Sequence, residues 1–241
     1  MIHIEKCHQM ARLAGLAYLD QKEALNAYTN EGYRYHQMID DDGAQCHIVW
    51  NKEEYVLCFR GTEPDEFSDI LADLNAIPDT AELDGYVHDG FQDELEKVWD
   101  EIQNHISMYL QKHHKVFICG HSLGGAMATV CASRMVDKVD ALFTYGSPRV
   151  GSNDFIDALK IVHYRHVNNN DVVTCVPPYP LYHHHGILRY INRKGKIIDM
   201  TWWERFKDKI LGRFDSWKAL KLFDGASDHS MDKYIEYTKE D

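Results

Sequence analysis

Gly120-His121-Ser122-Leu123-Gly124 sets one serine between two glycines in the pattern G-x-S-x-G. The run before it, Val116-Phe117-Ile118-Cys119, is apolar and of the length of a buried strand. The run after it, Ala126-Met127-Ala128-Thr129-Val130-Cys131-Ala132, is made of mostly small residues and predicts a helix. Strand, sharp turn and helix are the context in which this pattern forms a nucleophile elbow, with the serine hydroxyl exposed above a strand end. The turn is tight enough that side chains at the glycines would strike neighbouring backbone. The helix N-terminus behind Ser122 favours negative charge developing there. The chemistry implied is acyl transfer through a serine alkoxide.

A serine hydroxyl is a weak nucleophile and needs a histidine to take its proton. The histidine in turn needs a buried carboxylate to fix its tautomer and stabilise the imidazolium. Around such an elbow the chain order is Ser, then Asp or Glu, then His. Asp171 fits the acid, because it follows a predicted strand at the carboxyl end toward which Ser122 points. Asp154 and Asp157 would lie on a helix surface, and Asp199 and Asp215 fall in a later hairpin and helix. His229, delivered by a polar loop late in the chain, is the favoured base, and His183-His184-His185 is its rival. That triplet also invites a metal reading, but the nearby Asp and Cys match no zinc spacing, so a solvated loop is expected and no metal. His121 is too close to Ser122 in the turn to reach back as its base. His163 and His166 are expected to share one strand face in a structural role. Two N–H donors must face the oxyanion. One is expected from Leu123 and the other from Thr62, at the end of an earlier strand.

The elements that must position these residues alternate along the chain. An N-terminal amphipathic helix carries Ile4, Cys7, Ala11, Ala14 and Tyr18. Asp20 followed by Glu23 resembles a capping box that opens a second helix. Strands are predicted at 33–39, 46–50 and 55–59, then at 139–145 and 161–167, with a hairpin over 187–198. Helices fall at 91–110, 155–161 and 230–238, and a helical region interrupted by Gly212 at 202–223. Between Pro64 and Pro78, the residues Phe67, Ile70, Leu71, Leu74 and Ile77 form one apolar helix face. That segment is either a surface helix packed on the core or a movable lid over an apolar pocket. The alternation predicts an α/β fold in one domain over 1–241, with a mostly parallel sheet covered on both faces and chemistry at the carboxyl ends of its strands.

Composition narrows the partners. A net charge of -12 argues against nucleic acid. Twelve of the acidic residues and no lysine or arginine lie in 61–96, which would disfavour anionic head groups there. The six cysteines are scattered, several in apolar runs, and are expected to be buried and reduced. No secretory h-region and no run near the ~20 apolar residues of a membrane span is found, which leads to the expectation of a cytoplasmic protein.

Taken together these motifs resemble the class 3 lipases, the fungal triacylglycerol lipase type. The resemblance runs through 56–62, 67–74, 87–91, 117–125, 145–151 and 167–178, and ends with the histidine near the C-terminus. It implies an α/β-hydrolase fold with Ser122, Asp171 and His229 as triad. Thr62 and Leu123 become the oxyanion hole, and a lid within 63–78 carries Phe67, Ile70, Leu71 and Leu74. The implied activity is cofactor-free hydrolysis of acylglycerol or related lipid esters. The alternatives are a phospholipase A1 or galactolipase type of acyl hydrolase, or a silent lipid-binding protein. Residues 202–223, an insertion beginning near 200, lie outside the resemblance. Trp203, Phe206, Ile210, Trp217 and Leu220 fall near one face, with six basic residues against three acidic. Such a helix can lie in a membrane interface. A stripe of this kind more often packs on its own core, and that is the expectation here.

Overall fold

Alternation along the central strands sorts side chains to two faces, and each face is covered by helices. The computed structural model describes residues 3–62, 77–218 and 228–240. Helices α1 (Cys7–Leu16) and α2 (Gln21–Asn30) open the chain. The Asp20 carboxylate caps α2 by accepting the Lys22 and Glu23 N–H groups at 2.9 and 3.0 Å. Strands β1 (Tyr35–Asp41), β2 (Ala44–Trp50) and β3 (Glu54–Phe59) form an antiparallel meander. Two short strands, β4 (Pro78–Thr80) and β5 (Tyr86–His88), pair separately. Then β6 (Lys115–His121), β7 (Ala141–Tyr145), β8 (His163–Asn168) and β9 (Ile187–Ile191) continue the main sheet in parallel from β3. The sheet order is β1-β2-β3-β6-β7-β8-β9.

Helices α3 (Asp89–Tyr109) and α4 (Leu123–Arg134) cover one face. There Phe91, Leu95, Val98 and Ile102 of α3 join Leu57, Phe59, Ile118 and Leu142. On the other face α1 and Tyr234 of α7 (Met231–Tyr237) pack on Val56, Cys58, Phe117, Cys119 and Phe143. Adjacent strand residues such as Val56 and Leu57 thus serve opposite cores, as the period of two requires. Truncating a ring such as Phe117 or Phe143 would cost about 3–5 kcal/mol.

Several boundaries differ from expectation. The predicted helix at 155–161 is α5 (Asn153–Ala158), because the Ser152 hydroxyl accepts the Phe155 N–H and starts it early. The predicted break at Gly212 is absent: α6 (Trp202–Lys218) runs through it. A β-carbon at 212 would lie 2.9 Å from the side-chain amides of Asn169 and Asn170, so the glycine permits close packing rather than ending the helix. His163 and His166, three residues apart, face opposite sides of the sheet. His163 meets Thr144 and His185, whereas His166 stacks on Tyr145. Five cysteines are buried and free, but Cys175 is exposed. No helix among the described residues is long and apolar enough to cross a membrane.

Candidate active site

Ser122 sits between β6 and α4 with φ +57° and ψ −130°, a conformation costly for a side chain and characteristic of an elbow. Its own N–H bonds the Tyr145 carbonyl at 3.0 Å, tying the turn to β7. The predicted steric role of Gly124 is met: a β-carbon there would lie 2.4 Å from the Phe59 carbonyl oxygen. That contact lays the end of β3 against the elbow.

The three residues nominated for acyl transfer meet in space although 107 residues separate the first from the last. His229 Nε2 lies 2.8 Å from Ser122 Oγ, and His229 Nδ1 lies 2.9 and 3.1 Å from the two oxygens of Asp171. An ionised carboxylate only accepts, so the proton on neutral His229 belongs on Nδ1, and Nε2 is left to receive the serine proton. Ser122, Asp171 and His229 are all buried.

A second ring of contacts holds this line in place. Asp171 Oδ1 accepts the Val173 N–H at 3.0 Å, and Oδ2 accepts the Tyr234 hydroxyl at 2.6 Å. The same hydroxyl accepts the Asn168 N–H at 3.0 Å. Burial, and then the negative charge of Asp171, push the Tyr234 phenol well above its ordinary pKa, so it remains a donor. The loop of the acid is also clipped to the loop of the base. Asn168 Nδ2 donates to the Asp228 carbonyl at 2.9 Å, and the Asn170 N–H to the Asp228 carboxylate at 3.3 Å.

His121 takes no part as a base. Its Nε2 donates to the His229 carbonyl at 2.7 Å, leaving Nδ1 to accept the Tyr18 hydroxyl at 2.7 Å. Its ring stacks on that of His229 with centroids 4.5 Å apart. Burial, then the neighbouring His229, pull its pKa far down, which keeps it neutral and keeps both bonds. It braces the His229 ring from behind.

Leu123 is the first residue of α4, where N–H groups have no helical acceptor. Thr62 follows Gly61, at which a β-carbon would lie 2.9 Å from Ser122 Cβ. The end of β3 thus lies against the nucleophile's side chain. The rival histidines are engaged elsewhere: His183 bonds the Pro180 carbonyl, His184 the Thr174 carbonyl and His185 the ring of His163. No group of three or more His, Cys, Asp or Glu among the described residues could hold a metal ion. Phe67, Ile70, Leu71 and Leu74, nominated as a lid, lie outside the described residues.

Sequence reasoning missed Tyr234, Asn168, Asp228 and the bracing by His121 and Tyr18. The one available signal was the run Asn168-Asn169-Asn170 ahead of Asp171, residues suited to holding an irregular turn.

Comparison with known proteins follows the same residues. Residues 56–180 match the family described as Lipase (class 3). The chain is similar to the toxin TseL of Vibrio cholerae, at 31% identity over 183 residues, 57% of this chain and 28% of that protein. It is similar to a lipase of Rhizomucor miehei at 32% over 155 residues, 58% of this chain and 42% of that one. It thus spans less than half the length of these curated relatives. Among solved structures, the triacylglyceride lipase of Rhizomucor miehei superposes with a TM-score of 0.66 at 22% identity, over 78% of this chain and 80% of that one. At that identity the likeness establishes the fold, the α/β-hydrolase type expected from the sequence.

Proposed function

The chain belongs to the class 3 lipase family, and from that premise we propose that it is a serine hydrolase cleaving carboxylic esters of lipids. The observation that carries the reading is the buried line from Ser122 Oγ through the His229 ring to Asp171, at 2.8 and 2.9 Å. As Ser122 Oγ bonds the ester carbonyl carbon, its proton passes to His229 Nε2. Asp171 holds the resulting imidazolium in place. The N–H groups of Leu123 and Thr62 take the charge on the carbonyl oxygen, each worth about 2.7–4 kcal/mol in comparable sites. Collapse of the adduct expels the alcohol, which takes the proton back from Nε2. Water then repeats the sequence and releases the acid from Ser122. No other reactant is needed.

The test is hydrolysis of an emulsified acylglycerol and of p-nitrophenyl esters of increasing chain length. Ser122→Ala should lower turnover on the order of 10⁶-fold, because the three residues act as a unit. Ester cleavage by that variant near the wild-type rate would overturn the reading.

A further inference from the structure

Helix α6 is built inside out. Its inward side is polar: Asp208 is buried and accepts from Asn169 Nδ2 at 3.0 Å, the Tyr190 hydroxyl at 3.1 Å and the Arg193 N–H at 3.0 Å. Asn170 Nδ2 donates to the Lys209 carbonyl at 3.3 Å, and Gly212 lies against the same two asparagines. Its outward side is apolar. Trp202 and Trp203 are 59% and 64% exposed, and Phe206 and Ile210 are exposed beside them. The Trp202 ring lies parallel to Phe206 at 5.6 Å and edge-on to Trp203 at 4.5 Å. At about 100° per residue these four side chains fall within one arc, with Lys207 and Lys209 on its borders. The expectation that this stripe packs on the core is therefore corrected for Trp203, Phe206 and Ile210, because Asp208 takes the inward position; Trp217 and Leu220 lie outside the described side chains.

We propose that α6 docks the protein on a lipid surface bearing anionic head groups. Tryptophan and phenylalanine suit the boundary between head groups and acyl chains, and lysines at the edge of an apolar face suit its charge. The complementarity is local. Within a chain of net charge -12, α6 holds five basic residues against three acidic, and the exposed Lys194 and Lys196 lie on the turn that packs on Asp208. The placement is suitable too: Asn169 and Asn170, which anchor α6, immediately precede Asp171 at the carboxyl end of β8. The proposal goes beyond ester hydrolysis and stands without it, because binding does not require Ser122.

The test uses the full chain carrying Ser122→Ala, sedimented with vesicles of phosphatidylcholine alone or mixed equally with phosphatidylglycerol. The protein should pellet with the mixed vesicles at low salt, with a blue shift of tryptophan emission, and be released by high salt. Replacing Trp202, Trp203 and Phe206 together by Ser should weaken partitioning about tenfold or more. A second variant, Lys194→Glu with Lys207→Glu, leaves the aromatic face intact and should also weaken it. In the otherwise wild-type chain these α6 and turn variants should still cleave a soluble short-chain ester. Three results would overturn the proposal. The protein could stay in the supernatant with mixed vesicles, or the variants could pellet like their parent. Sedimentation velocity could also show a dimer that the aromatic variant dissociates, in which case a second copy covers the face.

Discussion

Replacing Tyr234 by Phe removes a single oxygen from the deepest layer of the site and leaves the ring to fill its space. That oxygen donates to Asp171 Oδ2 at 2.6 Å and accepts the Asn168 N–H at 3.0 Å, both in fully buried surroundings. A hydrogen bond to a buried charged group contributes about 1.5–3 kcal/mol, and a buried N–H left without its acceptor costs about 1–3 kcal/mol. The two effects share one atom and are not independent, so a loss of about 3–5 kcal/mol of folding stability is expected. Against a typical total of about 5–15 kcal/mol the variant should still fold. Asp171 keeps the Val173 N–H and His229, so the acid stays in line with the base. Turnover should therefore fall only about tenfold, the equivalent of about 1.4 kcal/mol. Loss of the carboxylate itself in Asp171→Asn should cost on the order of 10⁴-fold. Urea unfolding and ester-hydrolysis kinetics on the same preparation give both numbers. If stability stays within about 0.5 kcal/mol of wild type and turnover is unchanged, Tyr234 does not hold the acid as described.

Two further outcomes follow from the same structure. His47 and His166 are pushed down to about 3 by burial, so the unfolded chain, with histidines near 6.5, binds protons that the folded chain refuses. Their stabilising effect is complete above about pH 6.5 and is lost as pH falls below it. Together they should cost roughly 2–3 kcal/mol between about pH 6 and pH 5, and urea midpoints that hold or rise over that interval would contradict it. Asp208→Ala strips the acceptor from Asn169, Tyr190 and the Arg193 N–H, and should destabilise the fold by about 3 kcal/mol or more. Limited proteolysis should then cut α6 at its lysines faster than in wild type, and an unchanged digestion pattern would count against the anchor.

Much of the site was legible because its chemistry imposes local patterns. The elbow needs glycines, an apolar strand and a small-residue helix in succession, and all three occur together around Ser122. Asp171 could be chosen over Asp154 because a strand end and a helix surface differ in periodicity alone. What escaped the sequence depends on which way finished elements turn. Tyr234 is one aromatic among fourteen tyrosines until α7 lies beside the loop of Asp171. In α6 the periodicity identified the residues that share a face, but not whether that face or Asp208 would point inward. The choice fell to the partners Asp208 finds at Asn169, Tyr190 and Arg193, which are distant in sequence or unremarkable by type. His121 shows the same limit, since its neighbours Tyr18 and His229 come from opposite ends of the chain.

Covalent labelling reads directly whether His229 makes Ser122 nucleophilic. The native protein is treated with a fluorophosphonate at neutral pH, and the adduct is located by peptide mass. One adduct per chain should form on Ser122, disappear in Ser122→Ala and form far more slowly in His229→Ala. A folded protein that acquires no adduct, or acquires it at another residue, would contradict the account.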